Sequence, residues 1–375
     1  MTHPKHPTGA QAILAAALLL PGVAVQAENA PEHASMSVRY LDYRQSQPGL
    51  DLKVHAPALE VEVPLAAGAW SVAGTLTADD VSGASPRYHT AVSGASHMHD
   101  ERKAGTLAAT RYFERASVSV SAAYSTEHDY ISRALGVTGS LSSPDNNTTW
   151  SFGVGGSDDR IDPVNHIVVG ETRQSVNVMA GITQVLTPRD IGQLTLTATH
   201  GHGYFSDPYK LFDTRPRERN QYTLLARWNH HHEALGGTSR VSYRYYGDSF
   251  GVRAHTFGGE YVQPLASGWS VTPSARIYTQ RAARFYFDPG ADPDAFPDAV
   301  SSGAPGYASP DQRLSGFGAV TLGLKVARQL GPDWLVDLKV EHYRQRGSWR
   351  LFGDGSPGLA PLSASIVQLG LTRQW

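Results

Sequence analysis

From about residue 36 onward, apolar and polar residues alternate along the chain. In ASVSVSAAYS (116–125), Val118, Val120, Ala122 and Tyr124 share one side, and Ser117, Ser119, Ser121 and Ser125 share the other. This is the two-residue period of an extended strand. QLTLTATHG (193–201) sets Leu194 and Leu196 against Thr195, Thr197 and Thr199. NQYTLLARWNHHHEA (220–234) sets Tyr222, Leu224, Ala226 and Trp228 against Gln221, Thr223, Arg227, Asn229 and His231. RVSYRYYGDS (240–249) sets Val241, Tyr243 and Tyr245 against Arg240, Ser242, Arg244 and Asp248. An apolar face with aromatics near its ends, opposed by a face that stays polar throughout, is the pattern of a membrane-spanning barrel strand with lipid outside and water inside.

The alternation predicts about sixteen strands: 36–45, 51–65, 69–82, 103–114, 116–127, 131–142, 147–158, 173–187, 191–202, 219–233, 237–249, 252–265, 268–281, 313–330, 333–346 and 362–375. Tight connections such as AAG, SPDN, TPRD, ALGG, LASG and LGPD alternate with longer ones at 83–102, 159–172, 203–218, 282–312 and 347–361. Short periplasmic turns and long extracellular loops produce that rhythm, so the fold class is an all-β, antiparallel up-and-down transmembrane barrel. The last segment, SIVQLGLTRQW, puts Val367, Leu369, Leu371 and Trp375 on one face, and the chain stops at an aromatic. Arg373 interrupts this face, and at an interface its head can bend toward headgroups while its stem stays apolar. The repeated VSGAS within VSGASPRYHTAVSGAS (81–96) reads as a doubled Ser-Gly corner in an outward loop.

The beginning of the chain fixes the expected compartment. Lys5, the short apolar run AILAAALLL, the break at Pro21-Gly22 and the small residues ending at Ala27 resemble an export signal over 1–27, followed by a single barrel domain over 28–375. The absence of cysteine excludes disulfides, thiolate metal sites and thiol catalysis. A net charge of -2 implies no nucleic-acid partner. With 37 glycines and only 18% charged residues, the composition suits strands and turns.

The loop sequences carry a family resemblance. VSGASPRYHTAVSGAS, DNNTTW with DRIDPVN, HGYFSDPYKLFDTRPRERNQ, DSFGVRAHT, FYFDP, SPDQRLSGFGAVTLGLK and GSPGLAPL together resemble the bacterial domain of unknown function 3570 family of predicted outer-membrane β-barrel proteins. The resemblance implies a Gram-negative outer-membrane location with outer-membrane lipid as a partner, and the last segment resembles the terminal strand that the barrel assembly machinery recognises. The family resemblance also implies a co-encoded envelope partner: a lipoprotein, a thioredoxin-like protein or a flavinylated protein. It brings no catalytic or ligand residues with it.

Several constellations offer chemistry. His97 and His99 flank Met98, and His200 and His202 share one face of a strand end with Asp207 following. Imidazole pairs with a thioether or carboxylate nearby suit a divalent metal, the one cofactor the sequence suggests. In NHHHE only His231 should point inward, which argues against a three-histidine cage. Asp288, Asp292, Asp294 and Asp298 crowd the longest loop without the spacing of a calcium-binding hand. Ser206 and Asp207 near His200 or His202, and Asp129 beside His128, are the raw material of a rim hydrolase, without a nucleophile-elbow pattern.

Alternation assigns Arg39, Arg227, Arg240, Arg244, Arg276, Lys325 and Lys339 to the lumen, with Glu60, Glu62, Asp79, Asp248, Glu260, Asp337 and Glu341. Mixed signs predict charges that neutralise one another rather than a simple filter. Loop residues Arg87, Tyr88, Tyr204, Tyr209, Arg215 and Arg217 are the candidates for ligand or partner contact. The sequence therefore favours a porin-like channel, conduit or docking scaffold for a small polar solute or a co-encoded envelope partner. A rim hydrolase and a metal-handling or redox-linked barrel are the alternatives.

Overall fold

A computed structural model describes residues 30–48, 50–84, 97–210, 212–288, 290–291, 297 and 306–375. Sixteen antiparallel strands run in chain order: β1 (Ser35–Gln47), β2 (Leu50–Leu65), β3 (Trp70–Ala84), β4 (His97–Tyr112), β5 (Ala116–Thr126), β6 (Tyr130–Ser142), β7 (Thr148–Ile161) and β8 (Glu171–Thr187). They continue as β9 (Asp190–Gly203), β10 (Glu218–His232), β11 (Gly237–Asp248), β12 (Arg253–Pro264), β13 (Trp269–Arg281), β14 (Phe317–Leu330), β15 (Trp334–Arg346) and β16 (Leu362–Gln374). Each strand pairs with its sequence neighbours, and β1 pairs with β16 from Ser35↔Gln374 to Ser46↔Ser363, so the sheet closes on itself. Closure satisfies every strand edge, as a sheet surrounded by hydrocarbon requires.

The apolar faces point outward. Leu135 is 70% exposed and Leu107 60%, whereas the Ser117 and Ser119 side of the neighbouring strand is buried. A water-soluble sandwich would reverse this arrangement. The short-turn rim carries both described ends of the chain, where Ala34 and Trp375 exchange backbone hydrogen bonds of 3.1 and 3.0 Å. On that rim Trp70, Trp269 and Trp334 stand directly opposite Arg111, Arg328 and Arg373 across their strand pairs. Each guanidinium lies over the indole, at 5.2, 4.9 and 5.3 Å. Arg373 is thus one of three equivalent arginine–tryptophan pairs on the outer face of this rim, where cation and ring shield each other.

Two local expectations are corrected. Strands β3 and β4 extend beyond the predicted 69–82 and 103–114, pairing as far as Ala84↔His97. Residues 81–84 of the first VSGAS therefore continue a strand instead of making a corner, because cross-strand pairing is available to them as far as Ala84↔His97. The second copy lies outside the described residues. Strand β14 begins at Phe317 rather than 313, because Gln312–Leu314 forms a short 3-10 turn whose entry is capped by the Asp311 side chain accepting from the Arg313 N–H at 3.0 Å.

Candidate functional site

Above the strands, on the long-loop rim, two loops far apart in sequence form one buried ionic cluster. Asp311, completely buried, accepts from Arg215 Nη2 at 2.6 Å and Arg313 Nε at 2.6 Å, with Lys210 Nζ 3.9 Å away. Arg215 also grips Asp213 through Nε and Nη2, at 2.8 and 2.6 Å, and Arg313 Nη2 reaches Asp207 Oδ2 at 2.8 Å. Burial alone would push the Asp311 carboxyl up. Arg313, Lys210 and Arg215 outweigh that and hold it well below the ordinary carboxylate range.

Backbone pairing ties the same loops together: Thr214 N–H donates to Ala308 O at 2.8 Å, and Ala308 N–H returns the bond at 3.0 Å. Beside the ions sits a small apolar core of Phe250, Val252, Ala283 and Leu314, with Phe205, Tyr246, Phe285 and Tyr286 packed against it.

This assembly lies inside the rim. Gln280, on the inward face of β13, donates to Arg313 O at 2.8 Å and Ser315 O at 2.7 Å. Gln47, on the inward face of β1, donates to Gln312 Oε1 at 3.3 Å. Segment 306–316 therefore touches both the loop after β9 and the top of β1, on widely separated parts of the wall. It forms a lid across part of the mouth.

Below the lid, the lumen side of the wall from β9 to β15 forms a half-open cavity of about 590 Å³, lined among others by Arg227, Arg240, Arg276, Lys339, Glu260 and Glu341. Arg240 Nη1 donates to Glu260 Oε1 at 3.0 Å. Glu341 takes Lys339 at 3.0 Å and Arg276 at 3.4 Å, and Lys325 stands 3.8 Å from Asp337. Arg227 bonds Gln193 Oε1 at 3.4 Å. Nearer the rim, Arg244 lies 5.9 Å over the Tyr246 ring, while Asp248 holds Arg219 at 2.6 Å. Among the described residues neither Arg227 nor Arg244 has a carboxylate within ion-pair distance. The expected mutual neutralisation is thus incomplete, because alternation fixes which face a charge occupies but not whether a partner of opposite sign stands across the strand. Arg39, Glu60 and Glu62 lie on the lumen side of β1 and β2, and Asp79 is closed off in a buried pair with Arg102, Nε to Oδ2 2.6 Å.

Two residues expected to meet a ligand or partner are turned inward instead. Arg215 is locked in the ionic cluster, and Tyr209, 4% exposed, receives the Val164 N–H at 3.2 Å. Buried charge and phenol need internal partners, and the packed loops supply them. Arg217 stays exposed beside Glu171. Tyr204 is half-buried, its phenol pushed up to about 12 by burial and by Asp213 and Asp207. Arg87, Tyr88, Asp292, Asp294 and Asp298 lie outside the described residues.

His200 and His202 share a face of β9, as alternation requires, but it is the outward face of Leu194 and Leu196. His200 Nδ1 meets Asn220 Oδ1 at 2.7 Å, and His202 Nδ1 lies 3.9 Å from Glu218. Ser206 and Asp207 are engaged elsewhere, with the Arg215 N–H and with Arg313, so the structure does not assemble them with either histidine. His97 and His99 occupy β4 opposite Ala84 and Ser82. Among the described residues no group of three or more His, Asp or Glu is arranged around a common metal position.

The model of the family described as "Protein of unknown function (DUF3570)" matches residues 90–366. No curated protein matches the chain. Among solved structures, a bacterial polysaccharide outer membrane secretin superposes with a TM-score of 0.51 at 8% identity, covering 91% of this chain and 98% of that one. The CymD monoaromatic hydrocarbon channel gives 0.47 at 11% identity, covering 100% and 95%. The siderophore receptor PirA from Pseudomonas aeruginosa gives 0.48 at 9% identity over 90% of this chain, which spans only 62% of that receptor. At these identities the likeness, carried by the secretin, is one of fold alone: a closed antiparallel β-barrel.

Proposed function

The chain belongs to the DUF3570 family, and from that premise we propose that it sits in the bacterial outer membrane as a conduit for a small polar solute, narrowed by a fixed lid. One observation carries this reading. The charged groups of the lid are buried and engaged with one another, whereas the cavity beneath keeps half-exposed charged side chains turned toward its space. In this reading, recognition of a solute belongs to the charges of the lumen wall rather than to the mutually engaged charges of the lid. The apolar belt faces lipid.

A second reading, a docking scaffold for a co-encoded envelope partner, is favoured by exposed Leu351 and Phe352 in the loop between β15 and β16. Planar-bilayer recording on the refolded chain, with liposome swelling in neutral and charged solutes, tests the conduit. Discrete conductance steps and solute-dependent swelling are expected. A barrel that is folded yet electrically silent across the voltage range would leave the scaffold as the better reading.

A further inference from the structure

We propose that the lumen holds an oxyanion-binding station centred on Arg227, so that the solute passed is a small carboxylate or phosphate. The proposal rests on the conduit reading and names its substrate class. Four cations, Arg227, Arg240, Arg276 and Lys339, share the cavity with two carboxylates, Glu260 and Glu341. Both carboxylates are already engaged, Glu260 by Arg240 at 3.0 Å and Glu341 by Lys339 and Arg276 at 3.0 and 3.4 Å. An incoming cation would have to displace an arginine or lysine to reach either one. An incoming anion displaces nothing.

Arg227 is the open cation of the group. Its one hydrogen bond to a described side chain is the 3.4 Å contact to the neutral Gln193 amide, which leaves most of its five donors directed to the cavity. A planar guanidinium matches the two oxygens of a carboxylate or phosphate bidentately, and it keeps its charge at every physiological pH. Neutral Asn229, Ser242, Thr256 and Ser274 line the same space and supply further donors. The other lumen charges do not reverse the balance. Lys325 and Asp337 form a pair, Arg219 and Asp248 form another, and Arg244 adds a further cation toward the lid. Glu60 and Glu62 lie on β2, three strands round from β15. A volume of about 590 Å³ falls within the range of small-molecule sites.

The test is the reversal potential of the refolded pore in a potassium chloride gradient, for the native chain, Arg227→Glu and the lipid-facing control Arg328→Gln. The native pore should prefer chloride. Arg227→Glu should lower the chloride-to-potassium permeability ratio about fivefold, the size expected from reversing one charge several ångströms from the ion path in a largely aqueous lumen. The control should leave the ratio unchanged. A native preference for potassium, or an unchanged ratio in Arg227→Glu, overturns the proposal and leaves the conduit standing. If no pore forms, the conduit fails, and calorimetric titration of the detergent-folded chain with inorganic phosphate decides the station separately. Binding that Arg227→Glu abolishes supports it, and no binding to the native chain overturns it.

Discussion

The two arcs of the barrel wall obey the same alternation and yet present different interiors. From β3 to β9 the inward positions are mostly small: Ser117, Ser119, Ser121 and Ala123 on β5, Thr138 and Ser140 on β6, Ser151, Gly153 and Gly155 on β7, and Thr195, Thr197 and Thr199 on β9. Near the short-turn rim their hydroxyls bond across strands, Ser71 with Tyr112 at 3.0 Å, Thr110 with Ser119 at 3.0 Å and Ser117 with Ser140 at 2.7 Å. From β10 round to β2 the inward positions carry long charged and aromatic side chains, and these hold the cavity charges and the lid.

Even the glycines differ in role. On the charged arc Gly370 makes room for Asp337, whose Oδ1 would lie 2.7 Å from an added Cβ, and Gly323 does the same for Glu341, 3.0 Å at Cγ. One arc thus leaves space and the other fills it with ionic structure. Under the conduit proposed above, an off-centre path would run along the small-residue arc and be read electrostatically by the charged arc.

The contrast breaks most severely at Asp311. Asp311→Asn leaves Arg215, Arg313 and Lys210 buried without their shared carboxylate, at a cost of about 3–5 kcal/mol. Loops 204–217 and 306–316 should then become accessible to protease and the conductance should rise, as limited proteolysis and single-channel recording would register.

Acid should act in the same direction with a smaller effect at moderate pH. The Asp311 carboxyl is depressed in the folded chain, so its contribution is complete above the ordinary carboxylate value of 3.8 and is lost as pH falls below that toward its own lower value. Loop cleavage by pepsin between about pH 5 and about pH 2 should rise steeply only in the lower part of that interval, since an unshifted carboxylate would release the lid near pH 4.

The smallest effect belongs to the other arc. Ser117→Ala removes one hydroxyl pair and should cost about 1 kcal/mol in urea unfolding, with conductance and selectivity unchanged. Should Ser117→Ala destabilise the chain as strongly as Asp311→Asn, the division between a plain arc and an ionic one would collapse.

Much of the barrel was legible in the sequence because its rule is local. A residue's parity within its strand decides whether it meets lipid or lumen, so the lumen placement of Arg227, Arg240, Arg276, Lys339, Glu260 and Glu341 followed from neighbours two positions away. The lid was not legible. Asp311 pairs with Arg215 across 96 residues and Arg313 with Asp207 across 106. The charge-rich strings DPYKLFDTRPRER and SPDQRL mark both halves, but nothing local says that they meet. For the same reason Tyr209 and Arg215 read as free contacts when their partners lay in other loops.

The amino-acid order by itself determined a closed antiparallel cylinder, its approximate strand boundaries, its short-turn and long-loop rims and the side of the wall each charge occupies, because these depend on a period of two and on turn chemistry. Only the tertiary structure decided which lumen charges find a partner, which loop groups are buried in one another, and that His200 and His202 face outward. Those outcomes depend on register, closure and loop packing, which bring together residues that the chain keeps far apart.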